Sequence, residues 1–299
     1  MGKDKKKKNR GKAGGKTPKK KGPTLAERAD KHELYQIAVQ SPDADIEFFD
    51  RVYRETRGRA PMRFREDFCG TGILSATWVE SEDGRRAFGV DLDGPTLDWG
   101  RAAHERDREP EVLERLELAE ANVLDAKMPA DGVGADVSCA MNFSFCVFKE
   151  REVLKKYLAA ALKTLAPGGL FFMEMYGGTE SMIELEDDRE LEGFTYQWDQ
   201  HSFNPLTHET LCYIHFAFPD GSKIRKAFTY DWRLWTVPEL RDLLLEVGFE
   251  KVRVFWETVE DDEDDPTMMT GTGEYEEVEE VENQDSWLVY VVGERAEAS

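Results

Sequence analysis

The sequence predicts an α/β fold: a seven-stranded, mostly parallel sheet with helices on both faces, an N-terminal helical cap and a three-stranded antiparallel insertion. Three observations carry that prediction. Strand-like runs alternate with helix-like stripes from residue 63 to residue 176, and such alternation builds a parallel sheet covered on both faces. Between residues 194 and 234 the hydrophobic period drops to two, which is the pattern of half-buried antiparallel strands. Beyond residue 236, one helix and two strands close the chain.

Residues 24–58 read as two helices. Thr24 suits the cap of the first. Asp43, after Pro42, suits the cap of the second, with Ile46, Phe49 and Tyr53 on one face and Gly58 at its end. Strands are expected at 63–66, 87–91, 116–121, 136–141 and 170–176. The clearest helix is 150–166, where Val153, Leu154, Tyr157, Leu158, Ala161, Leu162 and Leu165 form one stripe. Pro167-Gly168-Gly169 is expected to end it. The insertion, 179–235, holds three alternating runs: Phe194 to Trp198, Cys212 to Phe218, and Phe228 to Leu234. Thr236 and Glu239 form a capping box that opens a helix closed by Gly248. The last strands are expected at 251–256 and 287–292, joined by an acidic loop over 257–283.

Charge is divided unevenly along the 299 residues. The net charge is -21, yet residues 1–22 hold eleven Lys/Arg and one Asp, a net of +10 that leaves -31 on the rest. A body this acidic binds phosphate backbones poorly. From Lys3 to Gly22 the only hydrophobic residue besides Pro18 is Ala13, so residues 1–23 are expected to be a disordered basic tail. A contact with RNA, the ribosome or another anionic surface is the sharper reading of that tail. Docking on the acidic segment is a third, since 257–282 carries thirteen Asp/Glu and no Lys/Arg. The four cysteines are scattered without a C-x-x-C pair, which argues against a disulfide scaffold or a zinc ribbon. No metal site is expected. No apolar run approaches a membrane span, and no signal-peptide core follows the basic start, so a cytoplasmic setting is expected.

The chemistry centres on Phe64-Arg65-Glu66-Asp67-Phe68-Cys69-Gly70-Thr71-Gly72, which follows the first strand and opens a helix. Glycines there let a ligand approach the backbone. Asp91, nineteen residues past Gly72, ends the second strand, where a carboxylate can accept both hydroxyls of a ribose. A dinucleotide site needs Gly-x-Gly-x-x-Gly, and Ser75 occupies the third position. An S-adenosylmethionine (SAM) site instead wants an acid just before the glycines, which Glu66 supplies.

On these residues the chain resembles the class I SAM-dependent methyltransferases. Residues 66–72 look like the family's first motif, and Asp91, with Leu92 after it, looks like the ribose-binding acid. Asn122-Val123 stands where the family contacts adenine. Met141-Asn142-Phe143 looks like the segment beside the methionine part of the cofactor. Leu165-Ala166-Pro167-Gly168-Gly169 looks like the turn before strand five, and Gly248-Phe249 with the last two strands matches the family's reversed hairpin. The resemblance spans roughly residues 60–176 and 236–293. It implies a Rossmann-like methyltransferase sheet, SAM as cofactor, a cap formed by residues 24–58 and an insertion over the substrate. It also implies cofactor contacts from Tyr35, Glu66, Gly70, Thr71, Gly72, Asp91, Leu92, Asn122, Val123 and Asn142. Two departures stand out. Phe68 replaces the first glycine, so close approach rests on Gly70 and Gly72. Asn122 replaces Asp but keeps a carbonyl acceptor.

Methyl transfer runs largely on positioning, and a general base is needed only for some acceptors. Glu174, Tyr176 and His201 are the candidates, with His208 beside them. Tyr196, Trp198, Phe203, Tyr230, Trp232 and Trp235 read first as sheet packing and second as a cage for a cationic amine. Cys69 reads as packing. The leading functional reading is methylation of a small molecule. Its rivals are methylation of RNA or a ribosomal protein guided by the tail, and a non-catalytic binding protein that keeps the fold. An NAD-dependent oxidoreductase is disfavoured by the glycine spacing.

Overall fold

The computed structural model describes residues 22–261 and 269–298. Most of the expected basic tail, residues 1–21, lies outside the described residues, as do residues 262–268 of the acidic segment.

Three helices open the described chain: α1 (Leu25–Arg28), α2 (Lys31–Val39) and α3 (Pro42–Arg57). The sequence predicts two, and Asp30 makes the difference. Its carboxylate accepts the N–H groups of His32 and Glu33 and so starts α2 as a separate helix. Ser41, not Asp43, is the N-cap of α3, because Pro42 fills the first turn. Nor is α3 part of a cap. It buries Ile46, Phe49, Val52 and Tyr53 against Phe64, Trp78, Phe172 and Tyr290, with Phe49 4.6 Å from Phe172 between ring centres. It therefore covers one face of the main sheet, whereas α1 and α2 lie against the insertion.

The main sheet alternates as β1 (Arg63–Asp67), α4 (Ile73–Ser81), β2 (Arg86–Asp91), α5 (Gly94–Asp107), α6 (Pro110–Leu113), β3 (Leu116–Glu120), β4 (Ala135–Ala140), α7 (Arg151–Thr164) and β5 (Leu165–Gly177). The insertion follows as β6 (Leu185–Leu191), β7 (Phe194–Asn204), β8 (Glu209–Ala217) and β9 (Lys223–Arg233). The chain closes with α8 (Val237–Val247), β10 (Lys251–Asp261), β11 (Met269–Glu277) and β12 (Trp287–Glu294). β5 starts directly after α7 and not past Pro167-Gly168-Gly169. A Cβ at Gly169 would lie 2.7 Å from the Ala135 carbonyl oxygen, so glycine there permits β4 and β5 to close up.

Among the described residues the main sheet has eight strands, ordered β11-β10-β12-β5-β4-β1-β2-β3. β1 to β5 pair in parallel, and β12, β10 and β11 add antiparallel. The expected seven strands become eight because the acidic segment is not all loop. β10 runs on to Asp261, and β11 pairs with it. Tyr275 anchors β11: it is buried, 5.2 Å from Phe48 and 4.7 Å from Tyr290 between ring centres. The insertion is likewise a separate sheet of four strands, ordered β6-β7-β8-β9, and not three. β6 is an edge strand with mostly exposed, charged side chains, so no apolar alternation announces it.

The cap sits on the insertion. Leu34 and Ala38 of α2 pack with Phe194, Ile214 and Phe216. The Asp220 carboxylate accepts the Leu25 N–H at 2.9 Å, and Ser222 Oγ accepts that of Ala26 at 3.1 Å. In the main sheet the chain runs from β1 outward through β2 and β3, then returns to β4 on the other side of β1. Such a switch point leaves a crevice beyond the carboxyl ends of the two central strands. Among the described residues no helix is long and apolar enough to cross a membrane.

Candidate functional site

β1 delivers Glu66 and Asp67 to the switch point and runs into a turn with three left-handed residues: Phe68 (φ 58°), Gly70 (φ 53°) and Gly72 (φ 70°). A Cβ on Gly72 would stand 2.7 Å from Leu118, whereas one on Gly70 would meet nothing within 4 Å. Gly70 opens onto a cavity of about 270 Å³. Phe68 holds a conformation that costs a non-glycine residue roughly 1–2 kcal/mol. Its ring turns onto α7, 5.4 Å from Tyr157 and 5.8 Å from Phe148 between centres.

The floor of this cavity is acidic. Glu66 is 3 % exposed, and its Oε2 accepts the Ser75 N–H at 3.0 Å and the Ser75 hydroxyl at 2.6 Å. Burial, reinforced by the charges of Asp91 and Asp45, pushes the Glu66 carboxyl up to about 8 against the pull of Ser75. Asp91 Oδ2 accepts the Gly70 N–H at 2.7 Å, and Oδ1 accepts that of Asp93 at 2.8 Å. Asp67 is different: it is buried against Arg65 at 2.8 Å and accepts the Tyr157 hydroxyl at 3.0 Å, which makes it a structural pair beneath the site. Thr71 accepts a hydrogen bond from the Gln36 amide of α2 at 2.8 Å, so the cap is tied to the floor. Tyr35, Phe228, Tyr230 and Trp232 form the opposite wall. Tyr35 lies 4.8 Å from Phe228, and Tyr230 stacks on Trp232 at 4.3 Å. Burial raises the Tyr35 hydroxyl to about 12.

A second cavity of about 410 Å³ adjoins the first, and Asn142 lines both. Asn142 and Phe143 follow β4 with left-handed backbones (φ 51° and 58°). Two consecutive non-glycine residues in that region mark a strained strand end, a feature that clusters at functional sites. The Asn142 N–H donates to Glu174 Oε2 at 2.6 Å.

Of the residues singled out by sequence, Tyr35, Glu66, Gly70, Thr71, Asp91 and Asn142 line the first cavity together. Gly72, Leu92, Asn122 and Val123 do not. Gly72 packs on Leu118, Leu92 is an exposed side chain past β2, and Val123 is buried in the main core. The Asn122 side-chain oxygen Oδ1 accepts the Leu124 N–H at 2.9 Å. Glu174 and Tyr176 line the second cavity. The Tyr176 hydroxyl, however, is buried beside Cys212, and burial holds it well above its usual range. His201 lines neither cavity; it is exposed, 3.7 Å from Asp199 and against Tyr213. His208 sits in the β7–β8 turn beside Phe203. Of the insertion's aromatics, Tyr196 and Trp198 line the second cavity while Trp235 is buried and donates to the Phe148 carbonyl. Cys69 is buried, and burial raises its thiol far from reactivity. Sequence reasoning passed over His32, Phe228 and Ser144, all lining the first cavity. Only the folded insertion brings Phe228 there, so no local signal announces it.

No family model matches this sequence, nor does any curated protein. Solved structures match by shape. A SAM-dependent methyltransferase from Clostridium acetobutylicum superposes with a TM-score of 0.61 at 15% identity, covering 89% of this chain and 97% of that one. The sugar N-methyltransferase KedS8 from a Streptoalloteichus species gives 0.57 at 20% identity, covering 96% and 100%. CalS10, a SAM-bound amino pentose methyltransferase from Micromonospora echinaspora, gives 0.58 at 16% identity, covering 88% and 95%. The fold of this chain is the fold of SAM-dependent methyltransferases.

Proposed function

We propose that this chain is a SAM-dependent methyltransferase that acts on a small-molecule acceptor held in the second cavity. One observation carries the reading: two acids, Glu66 and Asp91, face a cavity opened by Gly70 at the switch point. A buried carboxyl and a half-buried one, with no cation beside them among the described residues, favour a ligand that brings positive charge. SAM fits, since it carries a sulfonium, an ammonium and a ribose. Asp91 has accepted two N–H groups and keeps lone pairs for both ribose hydroxyls. Glu66 has one oxygen tied to Ser75 and the other free to take an ammonium, directly or through water. Thr71 and Gly72 shape the turn, Asn142 stands where the donor cavity meets the acceptor cavity, and Tyr35 closes the site from above. Leu92 and Asn122, which follow β2 and β3, are the proposed adenine side, with Val123 buried in the core next to Asn122.

SAM, when bound, supplies a methyl group already activated by its sulfonium. The residues then have to orient two partners and exclude water. The aromatic wall of Tyr35, Phe228, Tyr230 and Trp232 does the excluding.

Calorimetric titration with SAM and S-adenosylhomocysteine, with NAD as control, tests the reading. Micromolar binding of both sulfur nucleotides is expected, with none for NAD. Asp91→Ala should weaken it more than about 100-fold, because the ribose loses its acceptor and two backbone N–H groups lose theirs. A folded protein that binds neither nucleotide refutes the proposal.

A further inference from the structure

The second cavity is built around a carboxyl with acid behind it. Glu174 enters from β5, and among the described residues its side chain accepts one hydrogen bond, from the Asn142 N–H at 2.6 Å. The charged groups that act on it most are Asp45 of α3 and Glu257 of β10, both acids. Tyr35, Tyr275, Tyr290 and Cys139 feel its charge from α2, β11, β12 and β4, and all four stay uncharged near neutrality. The cavity's other charged groups include Asp187 and Arg189, and Arg189 is committed to the Ala38 carbonyl and the Tyr196 ring. Tyr196 and Trp198 supply aromatic wall. An anionic acceptor would face Glu174 with two acids behind it. An ammonium would find a carboxylate and an aromatic surface, the two partners that hold a cation.

We propose that the methyl acceptor is a small amine, seated as its ammonium between Glu174 and the Tyr196–Trp198 wall, and that Glu174 takes the proton that frees the nitrogen lone pair. This rests on the methyltransferase reading above. The ammonium N–H bond breaks and its proton passes to the Glu174 carboxylate. The nitrogen pair then forms an N–C bond to the methyl group as the methyl–sulfur bond breaks, and that pair stays on sulfur. The products are S-adenosylhomocysteine and the N-methylammonium; the proton leaves Glu174 for solvent. Asn142, on the boundary of both cavities, positions the carboxyl through its backbone N–H.

The test uses the full chain, first titrated with S-adenosylhomocysteine and then, loaded, with three matched probes: benzylamine, benzyl alcohol and phenylacetate. Benzylamine should bind at least about thirtyfold more tightly than the other two. Burial and the neighbouring acids place the Glu174 carboxyl near 8, so benzylamine affinity should rise with pH up to about 8 and fall once the amine itself deprotonates. Glu174→Gln keeps an acceptor for the Asn142 N–H and should fold. It should hold S-adenosylhomocysteine within about threefold, lose the rise with pH, and lose about thirtyfold in benzylamine affinity. With SAM carrying a labelled methyl group, label should appear in N-methylbenzylamine and not in the ether or ester. Equal binding of the alcohol or the anion, no benzylamine binding at about 10 mM to the loaded protein, or an unchanged Glu174→Gln variant overturns the proposal while leaving the donor site standing. A wild-type protein that fails to bind S-adenosylhomocysteine removes the underlying reading, and this inference with it.

Discussion

On the floor of the first cavity, Glu66 and Asp91 accept hydrogen bonds from Ser75, Gly70 and Asp93 at 2.6–3.0 Å. Across from them, Tyr35, Phe228, Tyr230 and Trp232 meet ring against ring at 4.3–4.8 Å where they touch. The floor is held by directional bonds to backbone and hydroxyl groups, which fix where negative charge stands. The roof is held by stacking, which tolerates sliding and sets shape. A ligand's charge and hydroxyl pattern should therefore be read by the floor, and its exclusion from water by the roof.

The sharpest way to break this contrast is on the floor. Glu66→Ala strips a buried acceptor from the Ser75 N–H. It should lower SAM affinity by about 100-fold and destabilise the fold by roughly 1–3 kcal/mol, read by calorimetry and thermal melting. Glu66→Gln keeps the acceptor and should spare stability but not SAM affinity. The same residue gives a pH signature. Its carboxyl is near 8 when folded against a usual 4.5, and Glu174 behaves alike. Between those values the folded chain holds protons that the unfolded chain releases. Their contribution to stability is full below about 4.5 and is lost as pH rises through 8. The melting temperature of ligand-free protein should thus fall less between pH 5 and 8 in Glu66→Gln than in wild type. An identical slope in the two proteins contradicts the assignment.

On the roof the effects should be milder. Tyr35→Ala removes one ring of a stacked set, so SAM affinity should fall about tenfold with the melting temperature little changed. A floor-sized loss would mean that Tyr35 binds the ligand directly and does not merely cover it. The smallest effect is expected outside both. Deleting residues 1–22 should leave SAM and benzylamine affinities within about twofold. Salt-sensitive RNA binding that this deletion abolishes would instead favour an acceptor delivered by the tail.

The floor was legible in the sequence because its parts are local: Glu66, Gly70 and Asp91 are fixed by the ends of two adjacent strands. The Asn142–Glu174 contact spans two strands and a helix, so neither residue's neighbours announce it. Asp30 was missed as a cap because a polar run surrounds it. β6 and β11 were missed because edge strands need no apolar alternation on an exposed face. Among the residues 270–277 of β11, Tyr275 is the buried one. The roof's aromatics were legible as strands but not as walls, since which cavity each faces depends on how the insertion lies over the sheet.

The contact of α1 and α2 with the insertion also governs when the molecule becomes complete. The Leu25 N–H is held by Asp220, 195 positions later, and Leu34 and Ala38 share their apolar cluster with Phe194, Ile214 and Phe216. During synthesis the first two helices thus wait, exposed, until most of the chain has emerged. The main core closes later still, because Val289 and Val291 of β12 belong to it. A nascent chain that stalls before residue 220 would lack both the Asp220 partner of α1 and β12, the strand that pairs antiparallel with β5, so neither the roof nor the sheet beneath it would be closed.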